Sequence, residues 1–132
     1  MAKINQERFQ EILETHKLWV ESRGQRGCRA AFSEIDLPWA NLPGADLTDV
    51  ILYKANLRRV NLHGANLTGV YFSYSDLRGA NLSEANLTGA YLTGTYLYNA
   101  DLRVATAKGC CIYKARLFPK DKARLLMLGA RE

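Results

Sequence analysis

The sequence is poor in the residues that build metal and catalytic centres. Its 132 residues include two histidines and three cysteines, and no Cys-x-x-Cys or His-Glu-x-x-His spacing occurs. We therefore expect no metal and no cofactor. An odd number of cysteines, two of them adjacent (Cys110 and Cys111), is not typical of a disulfide framework and favours a reducing compartment.

Long apolar runs and a strong charge imbalance are missing as well. No stretch approaches the roughly 20 apolar residues of a membrane span, and residues 1–10 are polar where a signal peptide is apolar. We therefore expect a cytoplasmic protein without membrane contact. Hydrophobic residues make up 48% and charged residues 23%, which predicts a folded chain, and a net charge of +5 does not by itself indicate nucleic acid.

What is present is a repeat of five residues. From residue 30 to residue 119 the chain divides into 18 pentapeptides without an insertion, and the central residue is Leu in 14 of them. The first residue is Ala in 11 units and Ile, Val, Ser, Thr or Cys in the others, and the second is Asp or Asn in ten units. In an extended chain the first and third residues point the same way, so we expect them inside and the second residue outside. Glycines at the last position predict turns with positive φ.

Units such as ANLTG, ADLTD, ANLSE and SDLRG resemble those of the pentapeptide-repeat family. The resemblance covers about two thirds of the chain and suggests a bacterial, and specifically a cyanobacterial, type. It implies an all-β solenoid, a right-handed quadrilateral parallel β-helix with four units per coil. On that rule the 90 repeat residues make about four and a half coils.

The two ends of the chain are predicted to cap the solenoid. Residues 5–23 carry a helical apolar stripe that includes Phe9, His16 and Trp19, with Asn5 as the N-cap. Pro119 is suited to begin a second short helix over residues 120–128. The predicted organisation is therefore a capping helix and linker at 1–29, the β-helix at 30–119 and a C-terminal cap at 120–132.

With four units per coil, residues 20 apart stack, and the units sort onto four faces. The second, third and fourth faces mostly carry Asp or Asn outside, whereas the first face, which begins with residues 30–34, carries none. Its exposed residues, here called the aromatic face, are predicted to be Ile51, Tyr53, Tyr71, Tyr74, Tyr91 and Tyr113. Three interpretations remain: a contact surface for a second copy or a protein partner, a stabilising aromatic ladder, or a wall covered by the N-terminal segment.

The second face carries Arg58, Arg59 and Arg78, here called the basic cluster, which is either a site for an anionic partner or a solvated surface. Inside the same wall, Ser75 and Thr95 lie one coil apart, and we expect them to bond each other. Ala107 leaves a gap in its column that a capping side chain is expected to fill.

The remaining candidates for chemistry are weak. His16 is expected to be a packing residue and His63 to lie beside no column of acids. No histidine is placed to activate the outward Cys111. The Asp and Asn columns are expected to bond turns and neighbouring side chains rather than a metal. We therefore expect no enzyme and no small-molecule substrate.

Two function classes follow. The first is a scaffold or protein–protein interaction module that acts through its flat faces. The second comes from the resemblance, because some pentapeptide-repeat proteins mimic DNA and regulate or protect type II topoisomerases. Residues 30–119 hold eight basic and seven acidic residues, which does not suit a DNA mimic. Direct nucleic-acid binding is not expected, because the positive charges are scattered along the sequence.

Overall fold

The computed structural model describes residues 2–132 as a solenoid with a helix at each end. The elements in chain order are β1 (Ala2–Lys3), α1 (Gln6–Glu21), β2 (Ile35–Asp36) and α2 (Pro119–Met127). The two short strands pair in parallel, Ala2 with Ile35 and Lys3 with Asp36. The rest of the sheet structure consists of single bridges separated by turns. Neither helix among the described residues has the length and apolar content needed to cross a membrane.

The bridges join residues that are 20 apart, so each coil contains four pentapeptides. On the first face Ala31, Ile51, Tyr71, Tyr91, Cys111 and Arg131 form one continuous parallel column, and three further columns run along the other faces. Leu52 donates its backbone N–H to Tyr71 O at 2.7 Å, and Tyr71 donates to Val50 O at 2.9 Å. The β-helix predicted from the repeat is therefore confirmed.

The central residues of the units form the core of the solenoid. Leu62 and Leu82 are fully buried, and so are the Phe72 and Leu92 that stack on the first face. Burial of each such side chain contributes ~1.5–3 kcal/mol. Because alternate residues point to opposite sides, the same backbone that buries the leucines displays the second residue of each unit on the outer surface.

The last residue of each unit turns the chain with a positive φ. Seven of the 17 residues at this position between 34 and 114 are glycines, and the other ten include Tyr74, Glu84 and Val104. Closing bonds such as Val50 N–H to Leu47 O, at 3.0 Å, place this residue third in a four-residue turn. A positive φ there is the signature of a type II turn, and for a β-branched residue such as Val104 it is strained.

The predicted bond between Ser75 and Thr95 is wrong. Ser75 Oγ donates to Leu52 O and accepts the N–H of Ala55 at 2.9 Å, so the hydroxyl bridges the turn of the coil before it. Thr95 Oγ1 donates to Phe72 O at 2.8 Å. Each inward hydroxyl donates to a backbone carbonyl of the preceding coil instead of to the other hydroxyl, because the turns of that coil line the same column.

Helix α1 packs on the first coil through Phe9 and His16, its two buried residues. Asn5 accepts the N–H of Arg8 at 2.7 Å and acts as the N-cap. The rings of Phe9 and Phe32 lie 4.5 Å apart. His16 accepts the N–H of Ala30 at Nδ1 (2.9 Å) and contacts Thr48 O through Nε2 at 2.6 Å, which makes it the packing residue that was expected.

Helix α2 begins at Pro119 and lies against the other end of the repeat. Leu125 is fully buried and joins the same apolar cluster as Ala107. The chain then returns to the solenoid, where Gly109 donates to Gly129 O at 2.9 Å and Arg131 pairs with Cys111. This order places one helix at each end of the column of coils and leaves the four faces between them.

Candidate interaction surfaces

The six residues of the aromatic face lie on one side of the solenoid, as the 20-residue spacing requires. Ile51, Tyr71 and Tyr91 are consecutive members of the first column of bridges, and each is half-buried. Tyr53, Tyr74 and Tyr113 lie beside this column, where it meets the second face, and are exposed. The structure therefore brings all six together, and the role of this surface stays a prediction.

Tyr71 and Tyr91 are the centre of a longer stack. Their rings lie 4.3 Å apart at an interplanar angle of 10°. The guanidinium of Arg29 lies 5.2 Å from the Tyr71 ring and 5.4 Å from the ring of Trp19 in α1. Arg29 is held there by a 2.9 Å bond from its Nε to Asp49 O. The stacked rings have the geometry that a stabilising aromatic ladder requires. The N-terminal segment, through Arg29 and Trp19, covers one end of the column.

Tyr91 is half-buried in this column, between Tyr71 and Cys111. The Tyr71 hydroxyl, first as a hydrogen-bonding neighbour and then through its charge, raises the pKa of Tyr91. The Tyr91 phenol therefore keeps its proton near pH 7 and presents a hydroxyl group next to the ring stack. Tyrosines of this kind are favoured anchors at protein interfaces, because they combine a large ring with a polar end.

The basic cluster also comes together in space. Arg58, Arg59 and Arg78 line a depression of about 500 Å³ with Tyr98. Asp76 partly neutralises this positive charge. Its carboxylate accepts hydrogen bonds from Nε and Nη2 of Arg78 at 2.9 and 2.7 Å, and it lies 3.8 Å from Arg58 Nε. Desolvation opposes the shift, but the hydrogen bonds and charge of Arg78 lower the pKa of Asp76.

Three further cations form a site that was not predicted from the sequence. Lys54, Lys114 and Arg116 line a depression of about 430 Å³ with Tyr74 and Tyr96, at the corner between the first and second faces. Lys54 and Lys114 occupy the last position of their units, and Arg116 occupies the second position of the unit that follows Lys114. Aligning residues 54, 74, 94 and 114, which are 20 apart, would have revealed this corner.

His63 lies beside one acid, Glu84, and not beside a column of acids. Its Nε2 lies 3.1 Å from Glu84 Oε2, and its Nδ1 lies 2.8 Å from Ser83 Oγ. Ser83, 20 residues further on, lies directly above His63 on the next coil, and Glu84 is the residue after it. Ser83 Oγ donates to Asn81 Oδ1 at 2.5 Å, so its proton points away from the imidazole and His63 is not placed to remove it.

The columns of Asp and Asn bond turns and neighbours, as predicted. Asn61 accepts the N–H of His63 at 3.1 Å and donates to Asn41 at 3.1 Å. Asp101 binds Arg103 through both oxygens, and these hydrogen bonds lower the pKa of Asp101 to about 2. Within the described residues no group of three acids, histidines or cysteines is arranged to hold a metal ion.

The three cysteines are free thiols in different surroundings. Cys28 is exposed, Cys111 is half-buried and Cys110 is buried in the inward column. Burial, and then the neighbouring Cys111, raises the pKa of the Cys110 thiol to about 12. Thr93 Oγ1 is the hydrogen-bonding neighbour of Cys111 Sγ, at 3.7 Å. Neither adjacent thiol thus has an imidazole beside it among residues 2–132.

Comparison with known proteins gives one match to a family and several to solved structures. A family model described as pentapeptide repeats matches residues 30–69 and 65–103, with eight copies. No curated protein matches the chain. The matched ranges cover more than half of the chain and lie inside the region of columns described above.

Three solved structures show how far the likeness extends. A pentapeptide repeat protein from Nostoc PCC 7120 is 28% identical, with 98% of this chain and 96% of that chain covered at a TM-score of 0.76. A pentapeptide repeat protein from the cyanobacterium Cyanothece 51142 is 26% identical, with coverage of 73% and 65% and a TM-score of 0.41. QnrB1, a plasmid-mediated fluoroquinolone resistance protein, is 16% identical, with coverage of 80% and 74% and a TM-score of 0.40. Only the first likeness is close enough to carry an argument, and it extends along nearly the whole chain.

Proposed function

The chain belongs to the pentapeptide-repeat family, and from this premise we propose that it is a non-enzymatic scaffold or protein–protein interaction module that binds through its faces. Its principal binding surface is the aromatic face. The observation that carries the proposal is the number of aromatic rings gathered there: the stacked pair Tyr71 and Tyr91, the edge-on pair Tyr53 and Tyr74, and the exposed Tyr113. On the other faces the outward positions hold mostly Asp and Asn.

The exposure of these rings supports a contact surface in addition to a ladder. Tyr74 is 49% and Tyr113 is 54% exposed, although Tyr71 and Tyr91 are half-buried by each other. A ladder alone needs only the stacked pair. Contiguous aromatic surface that remains accessible after the coils have stacked is typical of a partner site, because its burial releases water from apolar area. The occupant is a protein or a second copy of this chain.

The proposal includes the full architecture implied by the family. The solenoid is a right-handed quadrilateral β-helix of about four and a half coils, with α1 and α2 as its caps. The domain division at residues 1–29, 30–119 and 120–132 belongs to the same proposal. It is supported by the burial of Phe9 and Leu125, which lie at opposite ends of the repeat. Solenoids need such caps because their terminal coils expose apolar surface.

The absence of catalysis and a cytoplasmic location are also parts of the proposal. The Ser83–His63–Glu84 row lies on the surface, and its serine proton is directed to Asn81. Three unpaired thiols suit a reducing compartment. The module binds its partner without a cofactor.

A role as a DNA mimic is disfavoured by charge. Such a protein needs a strongly anionic surface to enter a groove that binds DNA, and residues 30–119 carry eight basic against seven acidic residues. The likeness to QnrB1 is too low to support that role. A gyrase supercoiling assay with equimolar protein is expected to show neither inhibition nor protection from a quinolone, and clear activity would favour the mimic.

Replacement of the stacked pair tests the proposed surface. In the double variant Tyr71→Arg and Tyr91→Arg, we expect self-association in light scattering, or capture of the partner from the source cell, to be lost. The matched control is Asn66→Arg with Asn86→Arg, a bridged pair on the fourth face that adds the same charge. Circular dichroism checks that each variant keeps its fold. Equal association by both folded variants would remove the aromatic face from the proposal.

A further inference from the structure

Folding gathers the basic residues of the repeat onto one wall. Six of the eight basic residues between 30 and 119 lie on the second face or at its corner with the first face, and the third and fourth faces hold only two. These six are Lys54, Arg58, Arg59, Arg78, Lys114 and Arg116. Four of the seven acids lie on the third and fourth faces. The charges that are scattered along the sequence therefore make a cationic wall.

The part of this wall with the most available charge is the corner formed by Lys54, Lys114 and Arg116, here called the basic corner. These three side chains surround a depression of about 430 Å³ whose other lining residues are Tyr74, Gly94 and Tyr96. Among the residues that the structure describes, no acid lies within ion-pair distance of any of the three cations. Arg58 and Arg78, in contrast, already face Asp76.

Tyrosine rings hold these cations in place. The Arg116 guanidinium lies 5.3 Å from the centre of the Tyr96 ring, and Arg78 lies 5.7 Å from the same ring. Lys114 Nζ lies 5.3 Å from the ring of Tyr113, and Lys54 Nζ lies 5.4 Å from that of Tyr53. Cation–π contacts restrict the motion of long side chains, so a ligand that binds them loses less conformational entropy.

The floor of the depression depends on a glycine. A Cβ atom at Gly94 would lie 2.5 Å from Cδ1 and Cε1 of Tyr74, so the ring lies flat against the backbone only because Gly94 has no side chain. The Tyr74 ring is also fixed by an edge contact with Tyr53, with their centres 6.0 Å apart. The sides of the depression are therefore formed by the three cations, and its base is formed by the Tyr74 ring, which packs against Gly94 and Tyr53.

The occupied rings decide which anion fits. Single-stranded nucleic acid is bound by a positively charged groove together with aromatic faces on which bases stack, but here Tyr53, Tyr96 and Tyr113 already carry cations on their faces. Ammonium and guanidinium groups that remain accessible are suited to carboxylates. We propose that the basic corner binds an acidic, extended segment of a partner protein, an inference that rests on the proposed interaction function and names its partner's chemistry.

The spacing of the coils sets the size of that segment. Lys54 and Lys114 lie three coils apart, and at about 4.8 Å per coil their backbones are separated by ~14 Å. An extended peptide covers this distance in about four residues. A carboxylate at one end of such a stretch reaches Lys54, and carboxylates at the other end reach Lys114 and, by a two-pronged contact, Arg116, which lies on the same coil as Lys114.

Peptide binding tests the inference. The probe is a fluorescein-labelled peptide of ten glutamates, and its anisotropy is measured at low and at moderate salt with the full chain. We expect saturable binding that weakens with salt, and a loss of about tenfold or more in the variant Lys54→Glu, Lys114→Glu and Arg116→Glu. The matched control Lys17→Glu, Arg26→Glu and Lys108→Glu changes the net charge equally at exposed positions elsewhere and is expected to keep its affinity.

The glutamates are compatible with the turns into which they are placed. Glu34 and Glu84 occupy the same last position of their units with φ of 60° and 59°, close to the 53° of Lys54 and the 56° of Lys114. Circular dichroism and the denaturation midpoint confirm that the variant folds. If it does not, Lys54→Gln, Lys114→Gln and Arg116→Gln replaces it in the same comparison.

Three results would overturn the inference. These are no saturable binding, an equal loss in the test and control variants, or tighter binding of an oligothymidylate of ten nucleotides that the same triple variant abolishes. The last would identify a nucleic-acid site. None of these results would contradict the proposed function, because association through Tyr71 and Tyr91 is measured separately with the arginine variants.

Discussion

The rings of Tyr71 and Tyr91 lie one coil apart and are nearly parallel, with 4.3 Å between their centres. Their backbones are bridge partners, so the stack and the sheet ladder reinforce each other. Aromatic pairs of this kind contribute about 0.5–1.5 kcal/mol beyond the burial of their area. This contact therefore serves the stability of the solenoid as well as the proposed surface.

A double-mutant cycle on the pair measures the ladder by itself. With Tyr71→Ala, Tyr91→Ala and the double variant, urea denaturation is expected to give a coupling free energy of about 0.5–1.5 kcal/mol. The control cycle joins Tyr71 and Tyr113, which do not stack, and is expected to give a coupling near zero. Equal couplings in the two cycles would show that the stack has no specific energy.

Replacement of Val104 by glycine is expected to stabilise the protein. Val104 is 74% exposed, so little packing is lost, and its φ of 60° is strained for a β-branched residue. Relief of that strain, less the entropy cost of glycine, raises the free energy of unfolding by about 1 kcal/mol.

The measurement for Val104→Gly is chemical denaturation, with Val104→Ala as its control. Alanine removes the β-branch but keeps the Cβ atom, so we expect it to recover only part of the gain. A glycine variant no more stable than the wild type would mean that this turn is relaxed in solution.

Ser75 is predicted to matter more to stability than Thr95. In most other turns the backbone N–H of the residue after the positive-φ position donates to the carbonyl three residues before it, as Val60 does to Leu57. In the turn at residues 52–55 the Ser75 hydroxyl lies between Ala55 N–H and Leu52 O. Ser75→Ala is expected to cost about 1–3 kcal/mol, because it leaves a buried donor and a buried acceptor without partners. Thr95→Val removes a single bond to Phe72 O, which keeps the N–H of Ser75. Equal losses in urea denaturation would contradict this assignment.

Cys110 is predicted to make the protein sensitive to alkali. Burial raises the pKa of its thiol from 9.0 to about 12, so the folded state keeps a proton that the unfolded state releases. The stability is therefore complete below pH 9 and falls as the pH rises towards 12. Chemical denaturation of the wild type between pH 8 and about 11 is expected to show this loss.

Valine is the matched replacement for Cys110, because Val50 and Val70 occupy the same inward column. Cys110→Val is expected to equal the wild type near pH 7 and to lose less stability in alkali. Cys28, which is exposed, is expected to react with a thiol reagent in the native protein, whereas Cys110 reacts only after unfolding. Fast native labelling of Cys110 would contradict its burial.

The columns were predictable from sequence because the repeat has no insertion. Leu62, Leu82, Tyr71 and Tyr91 all lie where the five-residue phase puts them, since one position in each unit can point only inward or outward. The position of a residue in the five-residue repeat specifies the column in which its side chain lies, but not the atom to which that side chain bonds. That is why Ser75 was assigned to Thr95 rather than to the turn at Leu52.

Neighbours across a corner or a diagonal were harder to predict. His63 meets Glu84, which is 21 residues away rather than 20, because side chains at a turn lean across the face. Lys54, Lys114 and Arg116 converge although they belong to two different faces. When residues are assigned to faces one at a time, the members of such a cluster are listed on separate faces. Their proximity is seen only in the folded structure.

Disulfide formation between engineered cysteines tests most directly the 20-residue coil on which every assigned surface depends. In a chain with Cys28→Ser and Cys111→Ser, the pair Asn61→Cys and Asn81→Cys replaces bridge partners on one face, at a separation of about 4.8 Å that a disulfide can span. We predict an intramolecular disulfide for this pair and none for Asn66→Cys with Asn81→Cys, which lie on different faces. Oxidation of the second pair in preference to the first would contradict the winding of the chain and the surfaces derived from it.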